Sequence, residues 1–354
     1  MIAIYATDWR DGGMAAKHAP VPLLRLFRPN AERTASGGFA SCRRLTMHAG
    51  EHGHEPVMLD QVLSILQPRP GEVALDCTTG RGGHAQAIAD RLGPAGTLLC
   101  VDSDPENLAY ARRRLEHTAT NCRFFHANFA EISDVLLAAG MERIDMILAD
   151  LGVSTNQLLT SRYGLGFSVD SPLDMRLDPR LTHSAADLVR TLSEKQLGDL
   201  IFQNSQERFS RHIARKIVEV RKTSPIHTTG QLAAIIRSAV GPTPFGQIDS
   251  ATRTFQALRM AVNNELTSLQ SMLNTLPNAL KPAGRAAVIS FHSGEDRLVK
   301  QAMRQWQTDG LCKILTPKPL TPDELETGRN PRSRSAKLRG VIFSGPQAAD
   351  VPMN

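Results

Sequence analysis

The chain has 354 residues, 41% of them hydrophobic and 5% aromatic, and a formal net charge of +6. That length holds two domains, or one domain carrying a large insertion. No apolar stretch approaches the roughly 18 residues that a bilayer-spanning helix needs, so the reading is of a soluble chain with no membrane partner. Residues 1–50 carry seven Lys/Arg against three acids, which is +4 of the total, so net charge alone does not predict a nucleic-acid partner. The five cysteines (42, 77, 100, 122 and 312) form no CxxC pair and no metal-ligand spacing. They read as reduced thiols of a cytoplasmic protein without a metal site.

Residues 1–50 are rich in Gly, Pro, Ala and Arg and lack periodicity. Asp8, Asp11 and Glu32 count against an organelle-targeting segment, which leaves a disordered extension or a start upstream of the true one at Met47. No function is assigned there. From Pro56, PVMLDQVLSIL gives a helix stopped by PRPG, and Val73, Ala74 and Leu75 give a short buried strand ending in Asp76.

The next residues organise the chain. Gly80, Gly82 and Gly83 allow tight turning and close backbone approach to a ligand. A helix starting near His84 turns its first free N–H groups toward that loop. A dinucleotide fingerprint places GxGxxG directly after the strand, whereas this loop is DxxxGxGG, the first motif of S-adenosylmethionine (SAM) methyltransferases. An ordinary strand-to-helix turn uses the same glycines.

A second strand over residues 97–102 ends in Asp102, 20 residues beyond Gly82, where a carboxylate suits a ribose diol. Asp104 before Pro105 reads as the cap of the following helix, leaving Asp102 free. A third strand over 122–128 precedes Phe129, whose ring either flanks an adenine or packs in the core. Alternation of strand and helix continues to a fourth strand ending in Asp150, which argues for a parallel sheet. A polar loop and four helical patterns then occupy about 85 residues. Ser193 and Gln196 read as a capping box there. In ERFSRHIARKIVEVRK, Arg208, Arg211 and Arg215 recur on one face, either solvated or contacting phosphates. Residues 252–276 read as one long helix and 286–291 as a fifth strand. Beyond it, His292 and Glu295 open a helix. A flexible Pro-rich loop, a basic run (Arg332, Arg334, Lys337, Arg339) suited to RNA backbone, and a last strand close the pattern.

EPVMLDQVL, DCTTGRGGH, VDSDP, ILADLGVST, GLGFS with PLDMR, RTFQALRMAVNNEL, ISFHSGEDR and NPRSRSAKLR occur in this order. Together they closely resemble the bacterial 16S rRNA cytosine-N4 methyltransferase family, known as RsmH and formerly MraW. The resemblance implies an α/β fold, a Rossmann-like class I SAM methyltransferase core over residues 51–156 and 251–345. It also implies an inserted all-helical substrate-recognition domain over 157–250. It implies methylation of N4 of one cytidine in 16S rRNA of the 30S subunit. By motif, Gly82, Gly83 and His84 contact SAM, Asp102 takes the ribose hydroxyls, and Phe129, Asp150 and Gln157 complete the pocket. NSQERF, HSGED and GVSTN depart from the usual family forms on the substrate side.

Cytosine N4 is a poor nucleophile because its lone pair is delocalised into the ring, so an acceptor for an N4–H bond would help; Asp150 is the catalytic candidate. DLGVS lacks the stacking aromatic of the Asp/Asn-Pro-Pro-aromatic motif that many amine methyltransferases carry, and Tyr163 or Phe167 is expected to replace it. Arg208, Arg211, Arg215, His292, Arg332 and Arg334 are candidates for substrate contact. A nicotinamide oxidoreductase and a noncatalytic RNA-binding assembly factor remain as alternatives.

Overall fold

The computed structural model of the chain describes residues 56–241 and 249–344. The reading of residues 1–50 as an extension lies outside the described residues.

Seven strands form one sheet in the order β3-β2-β1-β4-β5-β7-β6. They are β1 Val73–Asp76, β2 Thr97–Asp102, β3 Asn121–His126, β4 Ile144–Asp150, β5 Leu280–Ser290, β6 Cys312–Ile314 and β7 Lys337–Phe343. β1 to β5 run parallel, and β7 is antiparallel to both β5 and β6. The parallel strands are those that strand-helix alternation predicts, and the whole is the Rossmann-like α/β arrangement that the family resemblance implies.

Residue parity decides which face each side chain covers, because successive strand residues point to opposite sides. Leu99, Val101, Ile147, Ala149, Ala286 and Val288 enter one core. Their alternate neighbours along each strand, Leu98, Cys100, Met146, Leu148, Ala287 and Ile289, enter the other. A parallel sheet buried on both faces needs helices on both. On the first face pack α4 (Ile132–Ala138), α11 (Glu265–Ala279) and α12 (Ser293–Thr308); on the second pack α1 (Leu59–Leu66) and α2 (Gly83–Leu92). Between β2 and β3 runs α3 (Pro105–Leu115).

Between β4 and β5 the chain makes the short α5 (Thr155–Leu159), then α6 (Ala185–Thr191), α7 (Glu194–Ser205), α8 (Ser210–Arg221) and α9 (Thr229–Val240). Leu197, Ile201, Ile213, Ile217, Leu232 and Ile236 form a third core. Phe255 and Leu258 of α10 (Thr252–Val262) join it. The Ser193–Gln196 capping box opens α7 as its sequence predicts.

Three local readings change. The long helix expected over 252–276 is two, because Asn264 adopts a left-handed conformation at φ 51° between α10 and α11. Asparagine tolerates that region better than most residues. Asn263 beside it accepts from the Leu177 N–H and donates to the Met175 carbonyl, tying the break to the loop after β4. The Pro-rich loop holds α13 (Glu324–Arg329) and a 3-10 turn over Pro331–Ser335. Lastly, β5 starts six residues earlier than its apolar run, and β6 was not foreseen.

Candidate cofactor and substrate cleft

The carboxyl ends of the parallel strands and the loops beyond them border a cleft of about 860 Å³. Ligands in open α/β sheets collect at this edge. The cleft walls include the glycine loop, the ends of β2 and β4, Phe129, and residues from α10, α11, α12 and the Pro331–Ser335 turn.

Under the glycine loop, Asp76 is fully buried. Its Oδ1 accepts from the Thr78 N–H at 3.1 Å, and its Oδ2 has no hydrogen-bond partner among the described residues. Burial pushes its carboxyl up to about 7, with Asp102 adding to the rise. The folded protein then holds a proton that the unfolded chain, at about 3.9, has released. Stability from this group is full below the unfolded value and is lost as pH rises through about 7. Asp76→Asn is therefore expected to unfold at higher urea than the parent at pH 8, by about 1–2 kcal/mol after the cost of one unmatched buried amide. The gap should close toward pH 5; a gap independent of pH would contradict the assignment.

Asp102 ends β2. Its Oδ2 accepts from the Gly80 N–H at 2.7 Å and its Oδ1 from the Asp104 N–H at 2.8 Å. Asp104 caps α3, as expected, by accepting from the Glu106 N–H. Asp102 is nonetheless not left free: it holds the glycine loop against the β2–α3 turn. Oδ2 also accepts from Asn107 Nδ2 at 3.5 Å, so Oδ1 is the oxygen that keeps a second lone pair for a hydroxyl. Burial raises Asp102 to about 7 against these backbone donors.

Asp104 is also a hub. Its Oδ2 accepts from Gln157 Nε2 at 2.8 Å and from the Tyr163 hydroxyl. Gln157, which lines the cleft, thereby docks the loop after β4 onto the β2–α3 turn. Tyr163 is buried and committed to Asp104; burial and that acceptor push its phenol up to about 12. Phe167 stacks edge-on against Phe255 at 4.7 Å between centroids. Neither ring belongs to the cleft wall.

Of the glycines, Gly80 and Gly83 line the cleft and Gly82 does not. Gly82, at φ 78°, turns its missing side chain toward Ala111 of α3, so it shapes the loop from behind. His84 lines the cleft with its Nε2 at 2.9 Å from the Val57 carbonyl. That acceptor requires hydrogen on Nε2, so Nδ1 faces Asp150 Oδ2 at 3.6 Å. The Asp150 carboxyl is raised well above the ordinary range, chiefly by burial, with Asp76, Glu295 and Glu326 contributing. Its Oδ1 is buried and has no hydrogen-bond partner among the described residues.

Opposite the glycine loop stands a wall that the sequence reading entered only in part. His292 caps α12, its Nδ1 accepting from the Glu295 N–H. Glu295 is buried and its Oε2 accepts from the N–H groups of Phe291 and His292. Phe291, Arg259 and Glu265 also line the cleft; they lie inside the motifs ISFHSGEDR and RTFQALRMAVNNEL, but none had been named as a candidate site residue. Glu265, His292 and Glu295 bring ligand-type atoms within 4.8 Å of one another. Glu265 is already paired through both oxygens to Arg259, however, and Glu295 to two backbone donors. Arg332 and Arg334 line the cleft beside this wall. The rest of the basic run differs: Arg339 is buried against Asp296 at 2.7 Å, with Lys337 beside it, so both serve the fold.

Arg208, Arg211 and Arg215 are exposed away from the cleft wall. Arg211 pairs with Asp199 and Arg215 with Glu194, while Arg208 lies over the Phe209 ring. Exposed pairs of this kind are worth about 0–1 kcal/mol each, so a phosphate can compete for these guanidinium groups.

Comparison with known proteins places this chain in a family. Residues 51–343 match the MraW methylase family. A protein of Syntrophobacter fumaroxidans is 44% identical over 308 residues, covering 82% of this chain and 97% of the relative. One of Acidobacterium capsulatum is 43% identical over 295 residues, covering 81% and 97%. One of Citrifermentans bemidjiense is 44% identical over 304 residues, covering 81% and 97%. All three are named ribosomal RNA small subunit methyltransferase H. The motifs, the sheet order and these matches agree, and the chain belongs to the MraW methylase family.

Proposed function

We propose that this protein transfers the methyl group of SAM to N4 of one cytidine in the decoding region of 16S rRNA, acting in the cytoplasm on the 30S subunit. The observation that carries the reading is the joining of Gly80, Asp102 and Asp150 around one cleft at the carboxyl edge of the sheet. The names of the relatives support the substrate class.

The residues present fit SAM. About 860 Å³ lies within the range of nucleotide-sized sites. Asp102 is poised for a ribose diol, Phe129 stands beyond β3 to flank an adenine, and Gly83 and His84 start a helix whose N–H groups face the loop. Asp150 Oδ1, which has no hydrogen-bond partner among the described residues, offers an acceptor in the cleft. When bound, SAM supplies an electrophilic methyl: its C–S bond breaks as the N4–C bond forms, leaving a neutral thioether and a proton to be lost from N4. Asp150 accepts the N4–H bond and draws the lone pair out of the ring. Much of the remaining acceleration comes from alignment of donor and acceptor.

Residues 51–156 and 251–345 form the methyltransferase core in this reading, and 157–250 the substrate-recognition domain. The target base turns out of its strand into the cleft. Arg332 and Arg334 hold the neighbouring phosphates, and Arg208, Arg211 and Arg215 reach rRNA farther off.

The test has two arms. SAM, and not a nicotinamide dinucleotide, is expected to raise the melting temperature, and labelled SAM is expected to transfer radioactivity to 30S subunits lacking the modification. Protection by the nicotinamide cofactor would favour an oxidoreductase. Binding to 30S subunits without methyl incorporation would favour an assembly factor.

A further inference from the structure

We propose that Phe291 forms the stacking platform for the target pyrimidine, so that the aromatic missing from DLGVS is delivered by the neighbouring strand. The inference rests on the reading of the cleft as a cytidine methylation site. Four observations carry it.

The first is register. β4 and β5 are parallel neighbours, with Asp150 opposite Ile289, and the Leu151 N–H donates to the Ile289 carbonyl at 3.0 Å. Phe291, two residues past Ile289, therefore comes alongside Gly152, two residues past Asp150. The second is space. Gly152 has φ 100°, and a Cβ built there would lie 3.6 Å from Phe291 Cδ2. That is ordinary van der Waals distance, so the ring lies directly beside the loop that carries Asp150, and the positive φ is what calls for glycine there.

The third is position within the cleft. Among the described residues lining it, Phe129 and Phe291 alone carry a benzyl ring. They stand at the ends of β3 and β5, on opposite sides of the central β1–β4 pair. With Phe129 at the adenine end, Phe291 is left at the acceptor end. The other two aromatics that could stack a base, Tyr163 and Phe167, are held by Asp104 and Phe255. The fourth is support. Glu295 fixes the Phe291 N–H at 2.8 Å through a buried carboxylate, so the backbone that presents the ring is held in place. Phe291 is only half-buried, with part of the ring open to the cleft. Glu295 acts here as a positioning residue.

A stacked base needs a π-face, not only bulk. Phe291→Leu keeps most of the volume and Phe291→Tyr keeps the ring. The expected result is that Phe291→Leu and Phe291→Ala lose roughly tenfold to a hundredfold in kcat/KM on 30S subunits. Both should also bind 30S more weakly in the presence of S-adenosylhomocysteine, a readout independent of turnover. Phe291→Tyr should stay within a few-fold of the parent. SAM affinity and melting temperature should be unchanged in Phe291→Leu, which serves if the alanine variant does not fold. Parental activity in Phe291→Leu would overturn the stacking role, as would a loss confined to SAM affinity. A parent protein that methylates no cytidine would overturn the functional reading itself, which separates the two failures.

Discussion

Asp150→Asn is expected to lower kcat for methyl transfer by roughly a thousandfold, in line with the 10²–10⁴ that a positioned proton acceptor supplies, while the protein stays folded. The two parts of the expectation have one physical origin. The carboxyl is largely but not wholly buried, lies near Asp76 and Glu295, and is raised well above its ordinary value, so a neutral isostere removes an electrostatic burden from the fold. The same change removes the charge that draws the N4 lone pair forward. Stopped assays with SAM and 30S subunits, beside a melting curve, separate these effects. The raised value has a further consequence. Protonated Asp150 cannot accept, so kcat for the parent should fall with falling pH, starting well above the range of an ordinary carboxylate. Unimpaired turnover in Asp150→Asn would leave Asp150 to cofactor binding alone.

Asp102→Asn is expected to weaken SAM binding by roughly tenfold to a hundredfold, equal to about 1.4–2.8 kcal/mol. Both carboxylate oxygens accept backbone N–H bonds, from Gly80 and from Asp104. An amide side chain must turn its NH₂ toward one of these donors. Either choice leaves a buried N–H without an acceptor, costing about 1–3 kcal/mol, and loosens the glycine loop. The ribose hydroxyls lose an acceptor at the same time. Calorimetric titration with SAM measures the loss. An unchanged dissociation constant would mean that Asp102 serves only the loop.

Much of this was readable in the chain. The apolar runs ending in Asp76, Asp102 and Asp150 become three strands whose carboxyl ends meet at the cleft, because short buried parallel strands leave little ambiguity in their type. The DxxxGxGG spacing gave the loop and Asp104 gave the α3 cap. What was missed depends on contacts between distant parts of the sequence. Asn263 and Asn264 look like surface residues of one helix until Met175 and Leu177 appear beside them. The basic run reads as one patch, yet strand alternation turns Arg339 inward to Asp296 while Arg332 and Arg334 stay at the cleft. Phe291 sits inside a motif whose polar residues drew attention first. Its place opposite Gly152 follows from register, which apolar patterning does not encode. β6, at three residues, is too short to carry a periodicity.

The central claim is that Asp150 faces an exocyclic cytosine amine, and one measurement addresses it. 30S subunits from cells lacking the modification are incubated with the protein and methyl-labelled SAM, the 16S rRNA is digested, and nucleosides are separated by chromatography with mass detection. The account predicts label in N4-methylcytidine, at a single site in the decoding region. Label in 5-methylcytidine, in a ribose-methylated nucleoside or in no nucleoside of 16S rRNA would contradict it.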